Sequence, residues 1–152
     1  MNLPTFLGGV HPPEGKALTE NKAIEILRPT DPCEFVYPLS QHIGAPAQAI
    51  VAKGERVLAG QKIAEAGGFV SAPVFASASG TVKCIEPRRV ASGDMVMSIV
   101  VDNDGLFEEA AARAVKPLEE MTADEIREAI KEAGIVGMGG AGFPTHVKLS
   151  PK

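Results

Sequence analysis

The residues best suited to chemistry lie in the stretch Gly134-Ile135-Val136-Gly137-Met138-Gly139-Gly140-Ala141-Gly142-Phe143-Pro144-Thr145-His146-Val147-Lys148. Glycines packed this densely let a backbone approach a ligand closely, and successive peptide N–H groups can then converge on a phosphate. Lys148 adds a mobile positive charge suited to the same anion. Thr145 offers a hydroxyl just after Pro144, at the start of a helical turn, within reach of that phosphate. The candidate binding set is therefore Gly137, Gly139, Gly140, Gly142, Phe143, Thr145 and Lys148, with His146 the weaker neighbour inside the motif. Gly137, Gly139 and Gly142 also satisfy GxGxxG. That dinucleotide fingerprint needs a strand before it, a full helix after it and an acidic residue about twenty positions on. Here a helical pattern precedes it and only ten residues follow Gly142, so the Rossmann reading fails on context.

Other reactive groups form no constellation. Cys33 and Cys84 are the only cysteines and have no CxxC spacing, so neither a zinc nor an iron–sulfur site can be assembled from them. Both read as small buried hydrophobes of a reduced compartment. His42 stands without a carboxylate or cysteine nearby in sequence, which makes it a hydrogen-bonded structural histidine and no metal ligand. His11 reads as an anchor for the N-terminal residues. Glu65 and Glu86 are not paired by spacing, so no acid–base dyad and no catalytic residue is assigned. Glu119, Glu120, Asp124 and Glu125 read as a solvated acidic face near a helix N-terminus.

The formal charge of −4 over 152 residues leaves no basic footprint, which argues against a nucleic-acid partner. No apolar run is long enough for membrane insertion, and Met1-Asn2-Leu3-Pro4-Thr5 is not a signal peptide. Sixteen glycines and twelve prolines favour short strands over long helices.

These elements must position the loop. Residues 1–32 read as an extended surface arm, because Pro12 and Pro13 hold their neighbours in extended conformations. Residues 33–105 read as short strands. They comprise Phe35–Leu39, Ala49–Val51, two runs between Lys53 and Ala64, a segment at Phe69–Val74, the alternating Ala78–Ile85 and the apolar Met95–Val101, which the turn Asp102-Asn103-Asp104-Gly105 ends. Strands this short need a closed or sandwiched sheet. Residues 106–152 turn helical. A short amphipathic helix is expected over Leu106–Val115, and a better one over Ala123–Ala133. The second has a capping box at Thr122 and Glu125, an apolar face at Ile126, Ala129, Ile130 and Ala133, and Gly134 as its left-handed C-terminal cap.

Val57-Leu58-Ala59-Gly60-Gln61-Lys62-Ile63-Ala64-Glu65, with Ser71-Ala72-Pro73-Val74 and Ser79-Gly80-Thr81-Val82, resembles the lipoyl/biotinyl barrel-sandwich hybrid. In that family a carrier lysine projects from the hairpin between the two halves. Here the tip is Glu65-Ala66-Gly67-Gly68-Phe69-Val70, which has no lysine, and Lys62 lies before it on what reads as a solvated face. The resemblance thus implies a mainly β, structural barrel, and no acyl or carboxyl carrier.

Gly139-Gly140-Ala141-Gly142-Phe143-Pro144-Thr145 with Lys148 resembles the flavin loop in the flavin- and NADH-binding subunit of respiratory complex I. Gly8-Gly9-Val10-His11-Pro12-Pro13-Glu14, Pro38-Leu39-Ser40-Gln41-His42-Ile43-Gly44-Ala45-Pro46-Ala47, Gly68-Phe69-Val70-Ser71-Ala72-Pro73 and the 134–148 stretch are together similar to the opening of RnfC, a component of the Rnf electron-transport complex. That resemblance implies a peripheral subunit on the cytoplasmic face of a membrane-bound, ion-translocating ferredoxin:NAD⁺ oxidoreductase. It implies FMN and NADH as cofactors, two [4Fe–4S] clusters carried by cysteines beyond Lys152, and the other Rnf subunits as partners. On that footing 106–152 begins a truncated α/β flavin domain. The chain is then a shortened piece, mainly scaffold and docking surface, inactive alone and weak in FMN binding. The alternative is a barrel-sandwich interaction module with no cofactor of its own.

Overall fold

The computed structural model describes residues 13–26, 28–29, 33–114 and 116–150. His11 and the rest of 1–12, with Val115, lie outside them, and so does the anchor expected of His11. Residues 13–26 are exposed throughout and contain a single 3-10 turn at Gly15–Leu18.

Seven strands follow: β1 (Glu34–Pro38), β2 (Gln48–Ala49), β3 (Arg56–Val57), β4 (Lys62–Glu65), β5 (Val74–Phe75), β6 (Gly80–Arg89) and β7 (Met95–Asn103). They form a four-stranded sheet in the order β1-β7-β6-β3 and a three-stranded sheet in the order β2-β4-β5, with every pairing antiparallel. The alternating β6 and the apolar β7 form the long hairpin of the structure, in register from Gly80–Asn103 to Arg89–Met95. A bulge between Val82 and Cys84 shifts the register, so that Val82 faces Val101 while Ile85 faces Ile99.

The two sheets close over one core. Tyr37, Val57, Ile63, Ala64, Val74, Val82, Ile99 and Val101 supply the strand side chains, and Leu39, Ala47, Val51 and Ala76 fill in from the connections. Three strands are only two residues long, so the ladders alone hold little. Connecting backbone bonds stitch the sheets instead: Leu39 N–H to Met97 O, Ile50 N–H to Ile63 O, and reciprocal bonds tying Gly60 and Gln61 to Ala76. This is the sandwiched sheet that the short strands required, in the mainly β barrel-sandwich form that the resemblance implied.

The helix expected over Leu106–Val115 does not form. Residues 106–110 run extended across the barrel, where Ala59 N–H donates to Glu108 O and Ala110 N–H donates to Ala59 O. Ser79 is fully buried; its hydroxyl donates to Asp104 at 2.7 Å and accepts from Glu108 N–H at 2.9 Å. The Ala110 N–H and the Glu108 carbonyl, both needed by a helix, are thereby committed to Ala59. Phe107 sits at φ 52°, off the right-handed helical path, under the Arg28 guanidinium and edge-on to Phe35. Tertiary pairing overrides the local helical periodicity here. Both cysteines are free, as expected, but both are half-buried where full burial was expected.

The second helix forms as read. α1 (Ala123–Glu132) begins at Thr122, whose hydroxyl accepts from Glu125 N–H while the Glu125 carboxylate accepts from Thr122 N–H. Gly134 ends it at φ 66°. A side chain there would also press on Pro73 O and the Phe75 ring at 3.0 Å, so packing demands glycine as much as the cap does. The acidic residues near its start are not simply solvated. Lys116 above all, then the Thr122 N–H and hydroxyl, holds the Glu125 carboxyl down to about 2 from an ordinary 4.5. A depressed carboxyl contributes to stability above its unfolded pKa and loses that contribution as pH falls through the folded one. Acidification from about 4.5 to about 2 should therefore release the Thr122 amide before the barrel amides. NMR titration reads this directly, and a Glu125 side chain that titrates near its ordinary value would contradict it.

Candidate functional site: the glycine loop and its seat

The loop after α1 has a closed neck. Val136 and Pro144 form an isolated antiparallel bridge, Gly137 N–H donates to Phe143 O at 2.9 Å, and Thr145 N–H donates to Ile135 O at 3.0 Å. Between these clasps the backbone is irregular, and at its tip Met138, Gly139, Gly140 and Ala141 are exposed. A Cβ on Gly139 or Gly140 would meet nothing within 4 Å, so these two glycines leave open space where side chains would stand. Among the described residues, the N–H groups of 138–143 donate no hydrogen bond. Unspent peptide donors in a glycine-rich curve are the raw material of an anion cradle.

Lys148 closes one side of this curve. It ends the short helix α2 (Thr145–Lys148). Its ammonium lies 2.9 Å from where a Gly137 Cβ would be, and 5.9 Å from the centre of the Phe143 ring. Among the described residues it makes no ion pair, so its charge is free to answer an anion. Glycine at 137 is what lets it approach. Gly137, Gly139, Gly140, Phe143 and Lys148 thus gather around one loop, whereas Thr145 sits at the neck with its amide already engaged. The donor set suits a phosphate-bearing group, because it combines neutral N–H donors with one cation. Among the described residues no cluster of histidine, cysteine and acidic side chains could hold a metal, and no helix is long and apolar enough to cross a membrane.

Gly142 faces the other way. It has φ 63°, and a Cβ there would lie 2.9 Å from Gln41 O and 3.1 Å from His42 Cα. Beside it, Ile43 N–H donates to Ala141 O at 3.0 Å. The segment after β1 is therefore the seat on which the loop rests. His42 within it is buried; its Nε2 accepts from Ala72 N–H at 3.0 Å, and its Nδ1 lies 3.1 Å from Ile43 O. This is the hydrogen-bonded structural histidine expected from its isolation.

The hairpin tip that bears a carrier lysine in lipoyl and biotinyl domains does not project here. Ala45 N–H donates to Val70 O at 2.9 Å, and Gly67 N–H donates to the Ser71 hydroxyl at 2.9 Å. A Cβ on Gly67 would fall 2.0 Å from Pro46 O, so the tip lies down on 44–46. From the far side, buried His146 of α2 bonds Phe69 O through Nε2 at 3.0 Å and meets the Phe69 ring edge-on at 6.1 Å. His146 is thereby an anchor between helix and hairpin and has turned away from the loop mouth.

Lys62 needs correction as well. It does not lie on a solvated face: it is half-buried, 2.6 Å from Glu132 of α1 and 3.2 Å from Glu65. Burial opposes its charge, but the bonds from Glu132 and Glu65 outweigh that and raise its pKa, while Lys62 in turn lowers that of Glu132. The pair ties β4 to α1 and so fixes where the loop begins. Sequence reasoning missed Gln41, Ile43 and Phe69 as supports. Nothing in local pattern marks them, since their partners lie far along the chain, as with Phe69 and His146.

Comparison with known proteins covers most of the chain. Residues 4–106 match the model of the RnfC barrel sandwich hybrid domain. The chain is 48% identical over 149 residues to the C component of the Na(+)-translocating ferredoxin:NAD(+) oxidoreductase complex of Acetobacterium woodii, covering 96% of this chain and 33% of that protein. It is 43% identical over 150 residues to the corresponding component of the proton-translocating ferredoxin:NAD(+) oxidoreductase complex of Clostridium ljungdahlii, covering 98% and 32%. Against the corresponding component of the ion-translocating oxidoreductase complex of Vibrio cholerae, identity is 39% over 146 residues, covering 95% and 19%. The chain spans about a third or less of the length of these relatives.

Proposed function

This chain belongs to the RnfC barrel-sandwich-hybrid family, and from that premise we propose that it serves as the scaffold of an RnfC component in an ion-translocating ferredoxin:NAD⁺ oxidoreductase complex. In this reading the complex moves electrons between ferredoxin and NAD(H) at the cytoplasmic face of the membrane, and the barrel docks against other subunits while presenting the glycine loop to FMN. Bound FMN would supply the exchange between two-electron hydride chemistry and one-electron iron–sulfur carriers. The NADH contacts and the [4Fe–4S] clusters belong, in this reading, to the remaining length seen in the relatives.

The observation that carries the proposal is the run of N–H groups over 138–143, which donate no hydrogen bond among the described residues, beside Lys148, which among them makes no ion pair. The N–H groups would receive phosphate oxygens, Lys148 would neutralise them, and Gly139 and Gly140 would admit the ligand against bare backbone. Thr145 is the additional hydroxyl at the neck, and the Phe143 ring lies beneath the Lys148 ammonium, 5.9 Å from it. The residues present make one wall of such a site, so the chain by itself should bind FMN weakly.

The test uses a full-length relative with alanine at the position of Lys148. Losing one charge-assisted phosphate contact should weaken FMN binding by roughly tenfold or more, as read by flavin fluorescence titration. An unchanged affinity would remove the loop from the site. The scaffold half of the reading is tested separately by using this chain as bait for the purified remaining subunits. Failure to retain any of them would sink the docking role.

A further inference from the structure

We propose that His42 is a positioning residue for the glycine loop, acting through the backbone of Ile43. The relay begins with Ala72, whose N–H donates to His42 Nε2 at 3.0 Å. Nε2 also lies 3.2 Å from Ala72 O, but the shorter contact is with the Ala72 N–H, which can only donate. Nε2 therefore accepts and the ring proton sits on Nδ1, which donates to Ile43 O at 3.1 Å. With its carbonyl held by that ring, Ile43 directs its N–H to Ala141 O at 3.0 Å, inside the glycine loop. Both ring nitrogens are spent on backbone, so His42 has no capacity left for a ligand or metal.

Geometry on both sides of the segment supports the relay. On one side, Gly44 at φ 103° lies so close to Val70 that a Cβ would be 2.1 Å from Val70 O, and Ala45 N–H donates to that same carbonyl. On the other side, Gly142 rests directly on Gln41 O and His42 Cα. Residues 41–45 are thus a saddle between the hairpin tip at 70–72 and the loop at 141–142. The His42 side chain pins that saddle to the barrel. If the pin is removed, the Ile43 amide loses the orientation that serves Ala141, even though the hydrophobic core of the barrel is untouched. The importance of the loop rests on the FMN reading above, but the relay itself does not.

Amide hydrogen exchange on this 152-residue chain tests the idea without any ligand. In His42→Ala, the Ile43 and Ala72 amides should exchange roughly ten- to a hundredfold faster, the effect of losing one or two backbone hydrogen bonds locally. The Gly139, Gly140 and Gly142 resonances should shift, while Ile99 and Val101 in the core keep their protection. His42→Gln, which can again offer an acceptor to Ala72 N–H, should restore part of the protection. Gly142→Ala approaches from the loop side, and its Cβ should expose the Ile43 amide in the same way. Unchanged Ile43 exchange in either variant, or a uniform loss of protection throughout the core, overturns the proposal. Should His42→Ala fail to fold, Gly142→Ala alone decides. A chain that shows the relay but whose full-length relative binds FMN regardless of Lys148 would leave this inference standing and remove the flavin reading.

Discussion

Gly44→Ala should destabilise the fold by about 3 kcal/mol or more, lowering the melting temperature by roughly 10 °C on the scaling for chains of this size. Two costs combine. Gly44 has φ 103°, where an L side chain costs about 1–2 kcal/mol from backbone sterics alone. Its Cβ would also stand 2.1 Å from Val70 O and 2.8 Å from Val70 Cγ1. The nearest obstacle is backbone, and that carbonyl is held by Ala45 N–H, so it cannot move aside without breaking the saddle. Gly68→Ala is the control from the same hairpin tip. Its Cβ would make an ordinary 3.4 Å contact with Ala45 Cβ, and the change should stay within about 0.5 kcal/mol. Differential scanning calorimetry on both variants settles the matter: equal midpoints would mean that the tip does not lie on 44–46 in solution.

That contact also shows what was legible in the sequence and what was not. The α1 boundaries could be read because their causes are local: Thr122 and Glu125 are three positions apart, and Gly134 follows the last helical turn. Strands β6 and β7 were legible for the same reason, since their apolar patterns are local, but β6 runs on to Arg89, past the expected end at Ile85, and their pairing was not read. Leu106–Val115 misled because its helical periodicity is real but competes with Ala59, Ser79 and Arg56, all distant in the chain. Arg56 alone meets Asp104 at 2.9 Å and Glu108 at 2.8 Å. Lys62 misled similarly: alternation put it on the face away from the core, and nothing local announced that Glu132 would cover it. The glycine loop could be identified by composition, yet its orientation could not. Gly142 and Gly139 look alike in sequence, but one is pressed against the barrel and the other faces open space. Long-range contact decides which glycine is a support and which faces open space.

Ile63→Ala should carry the other large penalty, about 3–4 kcal/mol, within the range for truncating a buried isoleucine. Ile63 is completely buried in β4, the middle strand of the three-stranded sheet. Its neighbours there, β2 and β5, are only two residues long, and the register of β5 with β4 shifts near this position. Hydrogen-bond ladders this short cannot hold a sheet, so core side chains must do so, and Ile63 is among the largest of those fully buried. Ile63→Val removes one methylene and should cost about 1 kcal/mol. Val36→Ala, at a position 39% exposed on the four-stranded sheet, should cost less than that. Urea denaturation ranks the three by midpoint. The same series reaches the site, because β4 leads into the hairpin tip and its first residue, Lys62, holds α1 through Glu132. In Ile63→Ala the Phe69–His146 contact and the Ile43–Ala141 bond should therefore loosen together with the three-stranded sheet, at urea concentrations where the β6–β7 hairpin remains paired. If both sheets instead melt in one step, the three-stranded sheet is not the weaker half, and the loop draws its stability from the whole barrel.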